Sequence, residues 1–162
     1  MKRIFSLVLC ALLLAASAET DAYRAIDMTD TRETLAQRLG TPEETAEGYA
    51  DFGGVLCDFF ESGRLRAKIR AFDDAKAIAA RTDGDFAAAK KLKKGALLAD
   101  VNAVMGGEGT EIMRINLSDE ETSGVQMVLA WVSAQSNLME ALFELDDGEW
   151  TLFAVVEIMD IG

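Results

Sequence analysis

The chain has 162 residues, of which 50% are hydrophobic and 27% charged, with 28 acidic residues, 16 basic residues and no histidine. A net charge of −12 repels nucleic-acid phosphates, so the composition argues against a nucleic-acid partner. The lack of histidine excludes the Ser-His and Cys-His nucleophile pairs and the usual zinc and haem ligand sets. We therefore expect a protein that is not an enzyme and that holds no metal and no cofactor.

Residues 1–18 have the pattern of a secretory signal peptide. Two cations precede an apolar run from Ile4 to Leu14, and small residues end the segment at Ala18. The apolar run is shorter than the roughly 20 residues that a membrane-spanning helix needs. We expect cleavage after Ala18 and a secreted, periplasmic or cell-envelope protein that is not inserted in the membrane.

After that cleavage the chain would hold one cysteine, so no disulfide bond within it is expected. Cys57 alternates with Val55 and Phe59 along a predicted strand, which favours a buried and unreactive thiol. Asp58 beside it has the wrong charge to stabilise a thiolate.

The first half, residues 19–72, is predicted to hold one helix and one hairpin. Asp30 and Glu33 are spaced as a capping box, and the helix that they begin is expected to end at Gly40. Two predicted strands, at 55–60 and 64–72, are joined by a short turn that contains glycine.

The second half, residues 73–162, is predicted to form helices followed by a meander of strands. Residues 73–93 are rich in alanine and lysine and predict helix, with a break at 82–85. Apolar residues at helical spacing predict a further helix: Leu97, Val101, Val104 and Met105. Four antiparallel strands are expected at 111–117, 125–133, 138–146 and 149–159. The order of elements predicts an α+β fold made of two related halves in tandem.

Three segments of the second half carry a family resemblance. Residues 93–110 read KKGALLADVNAVMGGEGT, residues 129–131 read LAW, and residues 143–150 read FELDDGEW. They resemble the opening, the Trp-bearing strand and the hairpin of the β-lactamase-inhibitor-protein-like (BLIP-like) repeat. Small exported bacterial proteins have this repeat, including relatives of outer-membrane assembly lipoproteins.

The resemblance covers about residues 85–159, with a fainter copy over 25–72. It implies a helix-loop-helix laid on a four-stranded antiparallel sheet, present twice in the two-repeat members. It also implies a protein partner, with a β-lactamase or another envelope enzyme as the partner class.

Paired carboxylates are the remaining candidates for catalysis: Asp73-Asp74, Asp83 with Asp85, Glu120-Glu121, and Asp146-Asp147. All of them fall in predicted turns or caps, where short acidic side chains bind the backbone. None continues into the alternating oxygen ligands of a calcium loop. A small extracytoplasmic hydrolase or ligand-binding protein with a carboxylate site remains the alternative function.

A basic stripe alternates along the second strand of the predicted hairpin: Arg64, Arg66, Lys68 and Arg70. One interpretation is a solvated face whose cations pair with acids such as Asp58 or protect a sheet edge. The other is a binding site for an anionic partner or an envelope polymer.

The leading functional prediction is an open sheet face that binds an extracytoplasmic protein. Alternation places Met139, Ala141 and Phe143 in a row that packs on the helices, and it groups Leu152 with Val156 and Ile158. The opposite rows are predicted to form the open face, with these partner-binding residues: Trp131, Leu142, Phe153, Glu140, Glu144 and Glu157. The strand around Trp131 is apolar on both sides, so a core position for the indole is the other possibility.

Overall fold

The computed structural model describes residues 22–70, 79–119 and 124–158. The predicted signal peptide, the start of the predicted helix at 73–78 and the pairs Asp73-Asp74 and Glu120-Glu121 lie outside the described residues. The chain divides into two compact units, Met1–Lys68 and Ile69–Gly162. The described residues form nine strands with mostly antiparallel pairing and a few short helices.

The first unit consists of a helix followed by short strands: α1 (Arg32–Leu39), β1 (Glu43–Glu44), β2 (Ala50–Asp51), β3 (Val55–Phe59) and the start of β4 (Leu65–Arg70). β1 pairs with β2 and β2 pairs with β3, both antiparallel. β3 and β4 are joined by a tight turn in which the N–H of Phe60 donates to the carbonyl of Arg64 at 2.9 Å. Gly63 has a φ of 86° in that turn, which suits glycine.

The sequence predicts Asp30 as the N-cap of helix α1, but the residue that caps the helix is Thr31. The Thr31 hydroxyl accepts from the N–H of Thr34 at 3.2 Å, and the Thr34 hydroxyl accepts from the N–H of Thr31 at 2.9 Å. The Asp30 carboxylate is almost buried and instead accepts from Nη2 of Arg38 at 2.6 Å. Asp30 therefore joins the two ends of the helix through an ion pair.

A small apolar core fills the first unit: Tyr23, Ile26, Leu35, Ala50, Phe52, Val55, Cys57 and Leu65. Cys57 is fully buried and forms no disulfide. Burial raises the pKa of its thiol to about 12, so the thiolate is scarce near neutral pH. The prediction that Cys57 is buried is confirmed.

The second unit begins, among the described residues, with β5 (Ala80–Thr82), α2 (Phe86–Ala89) and α3 (Leu98–Val104). β5 pairs in parallel with residues 131–133. The predicted helix is therefore wrong at Ala80 and Arg81, because β5 pairs with β7 beyond the point where β6 ends. Thr82 lies in the predicted break. Asp85, from one of the acidic pairs, is the N-cap of α2 and accepts from the N–H of Ala88 at 2.9 Å.

Four antiparallel strands complete the second unit in chain order: β6 (Thr110–Asn116), β7 (Val125–Ser133), β8 (Leu138–Asp146) and β9 (Glu149–Ile158). The predicted meander is confirmed. Asp147 and Gly148 both have positive φ, 47° and 85°, in the turn between β8 and β9. Such turns suit the right-handed twist of a hairpin. Asp147 therefore lies in the predicted turn, whereas Asp146 is the last residue of β8 and pairs with Glu149.

The core of the second unit lies between the meander and its two helices. One face of the sheet supplies Met127, Leu129, Trp131, Met139, Ala141, Phe143 and Leu152, and the helices supply Phe86, Ala89, Val101 and Met105. We call this side of the sheet the helix-covered face. A second buried cluster lies on the opposite side at one end of the sheet: Ala79, Ile112, Ala130, Val132 and Leu138.

A β-bulge in β9 changes which of its residues face the helices. Leu142 pairs with Ala154 and the next residue, Phe143, pairs with Leu152, so Phe153 is an extra residue. Beyond it Val155 packs against the core. The predicted grouping of Leu152 with Val156 and Ile158 is therefore wrong, because the bulge reverses the alternation between them.

The free side of β9 is partly covered by the loop that precedes α3. The N–H of Gly95 donates to the carbonyl of Leu152 at 2.7 Å, and the N–H of Leu152 donates to the carbonyl of Ala96 at 2.8 Å. Leu97 forms an isolated bridge with Thr151. These contacts fix the helical layer to the last strand of the meander.

Trp131 lies in the core, so its predicted position on the open face is wrong. Its side chain is fully buried on the helix-covered face, and Nε1 donates to the carbonyl of Gly107 at 3.0 Å. Its neighbours Ala130 and Val132 are buried on the opposite side. Both sides of β7 are covered at this point, which fits the unbroken apolar run from Met127 to Val132.

The close approach of Gly109 to Trp131 gives a stability test. A Cβ added at Gly109 would lie 2.6 Å from Cε2 of the indole, whereas one at Gly107 would meet nothing within 4 Å. We expect Gly109→Ala to lower the free energy of unfolding by about 1–3 kcal/mol because it overpacks the core. Gly107→Ala is the matched control and should change it little, as measured by urea unfolding followed through tryptophan fluorescence. Equal losses in the two variants would contradict this packing.

Candidate functional site

Apolar side chains are exposed on the side of β8 and β9 that faces away from the helices. We call this the outer face and define it by Glu140, Leu142, Glu144, Phe153, Ala154, Val156 and Ile158. Val156, Ile158 and Phe153 are 54%, 43% and 40% exposed. Seven large apolar residues are exposed in the described parts of the chain, and three of them lie here. Sequence alternation missed Val156 and Ile158 because of the bulge.

Glu140 lies among apolar residues on the outer face. Its cross-strand neighbours are Ala130 in β7 and Val156 in β9. Its Oε1 atom is buried and has no hydrogen-bond partner among the described residues. Loss of solvent around the carboxyl raises its pKa above the ordinary value.

Glu144 and Phe153 share a cation on the outer face. Nζ of Lys94 lies 3.8 Å from the centre of the Phe153 ring and 3.9 Å from Oε2 of Glu144. Nε2 of Gln126 donates to Oε1 of Glu144 at 3.0 Å. Glu144 is therefore partnered, whereas Oε1 of Glu140 has no hydrogen-bond partner in the part of the chain that the structure describes.

Glu157 does not lie on the outer face, so that part of the prediction is wrong. It is opposite Met139, which belongs to the core on the helix-covered face. Its Oε2 accepts from Nζ of Lys90 at 2.6 Å, at the end of α2. The bulge is the reason, because it moves every later residue of β9 to the other side.

Lys68 in the predicted basic stripe is buried and serves the fold. Its Nζ donates to the carbonyls of Tyr23 and Ile26 at 3.0 and 2.8 Å, and it lies 4.2 Å from the centre of the Tyr23 ring. An anionic partner would have to compete with these contacts. The prediction of an open basic stripe is therefore wrong at this position.

The other cations of the stripe also have contacts within the protein. Nε of Arg66 donates to Oδ2 of Asp58 at 2.6 Å, which is the pairing that the structural interpretation named. Nε of Arg70 donates to the carbonyl of Glu111 at 2.9 Å. Arg64 forms an isolated backbone bridge with Thr31. The contacts favour the structural interpretation of the stripe.

A polar cleft of about 420 Å³ lies at the C-terminal end of β7 and is lined by Arg81, Thr82, Asp83, Gly106, Ser133 and Ala134. A carboxyl of raised pKa in such a cleft would favour the hydrolase alternative. Glu140, whose pKa is the one raised among the carboxyls of the described residues, does not line the cleft. Within residues 22–70, 79–119 and 124–158, no group of three or more Cys, Asp or Glu side chains is placed to hold a metal ion.

No family model matches the chain, and no curated protein matches it. Among the described residues, no helix is long and apolar enough to cross a membrane.

The buried position of Lys68 predicts a difference between two members of the basic stripe. Lys68→Met removes the donor to two carbonyls in a buried site, so we expect a loss of about 1–3 kcal/mol in the free energy of unfolding. Arg66→Met breaks an exposed ion pair and should cost less than about 1 kcal/mol. Urea unfolding of both variants measures the difference. Similar small losses in both variants would contradict the buried position of Lys68.

The raised pKa of Glu140 predicts how stability depends on pH. The folded protein holds this proton more tightly than the unfolded chain, so stability falls as the pH rises from the ordinary carboxyl pKa through the raised value. Glu140→Gln removes the charge that burial penalises. We expect this variant to melt at a higher temperature than the wild type near neutral pH. At about pH 4 the two proteins should melt at similar temperatures.

Glu144→Gln is the matched control for that experiment. It removes the same charge from the same face, but from a carboxylate that has Lys94 and Gln126 beside it. We expect no gain in melting temperature near neutral pH. An equal gain in melting temperature in both variants would mean that the effect comes from reducing the net charge of −12 and not from the burial of Glu140.

Proposed function

We propose that this protein is a non-enzymatic binding module that contacts an extracytoplasmic protein through the outer face. The observation that supports this is the group of exposed side chains formed by Phe153, Val156 and Ile158 next to Leu142. Exposed apolar patches with polar residues around them are typical of protein interaction sites. The helix-covered face already has its packing partners, whereas in the described residues the outer face of β8 and β9 leaves apolar side chains exposed, and this exposure supports the proposal.

The arrangement of the second unit supports the family part of the proposal. Helices α2 and α3 precede the meander β6–β9, which is the order that the resemblance to the BLIP-like repeat implies. The first unit likewise has a helix before its strands. We extend the proposal to a tandem of two such α+β repeats and to a β-lactamase or another envelope enzyme as the class of partner.

The N-terminal sequence supports the proposed location. Residues 1–18 combine cations, an apolar run and small residues in the order of a signal peptide. A protein released outside the cytoplasm would meet secreted and envelope proteins. The partner is therefore sought in culture medium and envelope extract.

A pair of matched variants tests the outer face. The bait is the chain without residues 1–18, as wild type, as the double variant Val156→Ser with Ile158→Ser, and as Leu39→Ser. Leu39 is 37% exposed in the first unit, so its variant controls for the loss of exposed apolar area. We expect the wild type and Leu39→Ser to retain the same partner and the double variant to bind it about tenfold more weakly or worse.

Thermal melting accompanies the capture experiment. The three baits should have similar melting temperatures because the substituted residues are exposed. Equal retention by the double variant and by Leu39→Ser would overturn the proposed function. If a variant fails to retain the partner because it has unfolded, its melting curve will show this. That loss of retention would then not count as an effect on binding.

A further inference from the structure

We infer that the partner presents a lysine or arginine side chain, flanked by apolar residues, to Glu140 at the centre of the outer face. The inference rests on the proposed function and adds the chemistry of the contact. It depends on three observations of the described residues: the surroundings of Glu140, the partners of the neighbouring carboxylates, and the net charge of the chain.

The surroundings of Glu140 leave a charge without a counterion. Its cross-strand neighbours, Ala130 and Val156, are apolar, and its Oε1 atom is buried without a hydrogen-bond partner among the described residues. A buried acceptor that lacks a partner is uncommon in proteins. Oε1 itself is shielded from solvent, but Glu140 as a residue is only partly buried, so we expect a donor from outside to approach its carboxyl group.

The neighbouring carboxylates already have their cations. Glu144 lies 3.9 Å from Lys94, and Glu157 lies 2.6 Å from Lys90 on the other side of the sheet. The Lys94 ammonium is also held over the Phe153 ring. An incoming cation would therefore find its counterion at Glu140 and not at Glu144 or Glu157.

The free energy of such a contact favours Glu140 over an ordinary surface carboxylate. Burial has already removed much of the solvent around this carboxyl in the unbound protein, and that loss raises its pKa. Binding then adds the attraction of a cation with little further desolvation of Glu140. The apolar rim of Leu142, Val156 and Ile158 would exclude water from the pair and strengthen the attraction.

A protein cation fits this site better than a second copy of the chain or a metal ion. A symmetric dimer through the outer face would bring like carboxylates together on chains of charge −12. Calcium takes six to eight oxygen ligands, and no cluster of acidic residues able to hold a metal exists among the described residues. The apolar rim, in contrast, suits the alkyl stem of lysine or arginine.

Two capped peptides of equal size test the inference with the full folded chain after residue 18. The probes are acetyl-Leu-Arg-Leu-amide and acetyl-Leu-citrulline-Leu-amide, which differ in charge but hardly in shape. We expect the arginine peptide to bind the wild type about fivefold more tightly than the citrulline peptide and to shift the Glu140 carboxyl carbon in NMR spectra. In Glu140→Gln the two peptides should bind equally.

A substitution within the chain supplies an independent readout. Val156 is directly opposite Glu140, so Val156→Lys would place an ammonium beside the carboxyl. We expect the pKa of Glu140, measured by NMR titration, to be lower in Val156→Lys than in Val156→Gln. Equal values in the two variants would overturn the inference, because Glu140 would then not respond to a cation in that position.

The outcomes separate this inference from the proposed function. Equal binding of the two peptides to the wild type, no binding of the arginine peptide, or a charge preference that persists in Glu140→Gln overturns the cation site. Capture of the partner by the wild type and not by the double variant at Val156 and Ile158 would still support the proposed function. Failure of that capture experiment would instead overturn the function itself.

Discussion

The position of one residue, Phe153, determines the two faces of β9. Because Phe153 has no cross-strand partner of its own, the strand packs Leu152 on the core before the bulge and Val155 after it. The same shift puts Ala154, Val156 and Ile158 on the outer face together with Leu142. Without the bulge, Val155 and Glu157 would exchange sides with Val156 and Ile158.

The bulge also explains why acidic residues of one sheet have different surroundings. Glu157 is turned to the helices and meets Lys90, while Glu140 stays among apolar neighbours on the outer face. Lys94, in the loop before α3, neutralises Glu144 and lies over Phe153. Lys90 and Lys94 thus contact Glu157 and Glu144. Neither of these two lysines pairs with Glu140.

Much of the second unit could be predicted from the sequence, because its strands end at residues with strong turn preferences. Asp147 and Gly148 are an example, since both adopt the positive φ that the hairpin requires. The bulge could not be predicted in this way. The run from Leu152 to Val156 is apolar throughout, so a shift of one residue leaves no polar side chain in a costly position.

Other errors came from contacts between residues that are distant in the sequence. Lys68 reaches carbonyls 45 and 42 residues earlier, and strand alternation carries no information about them. Asp30 and Thr31 are both good caps, and the ion pair with Arg38 decides between them. Trp131 lies in a strand that is apolar on both sides, and its buried N–H depends on the distant carbonyl of Gly107.

The contact between the loop before α3 and β9 has a consequence for the order in which the second unit can fold. Gly95 and Ala96 bind Leu152 through the backbone, and Leu152 also completes the core under the helices. The helices α2 and α3 therefore lack part of their packing surface until residue 152 has left the ribosome. Contacts of such long sequence separation form slowly. Nascent chains of this unit would therefore stay incompletely folded until Leu152 has emerged and can bind Gly95 and Ala96.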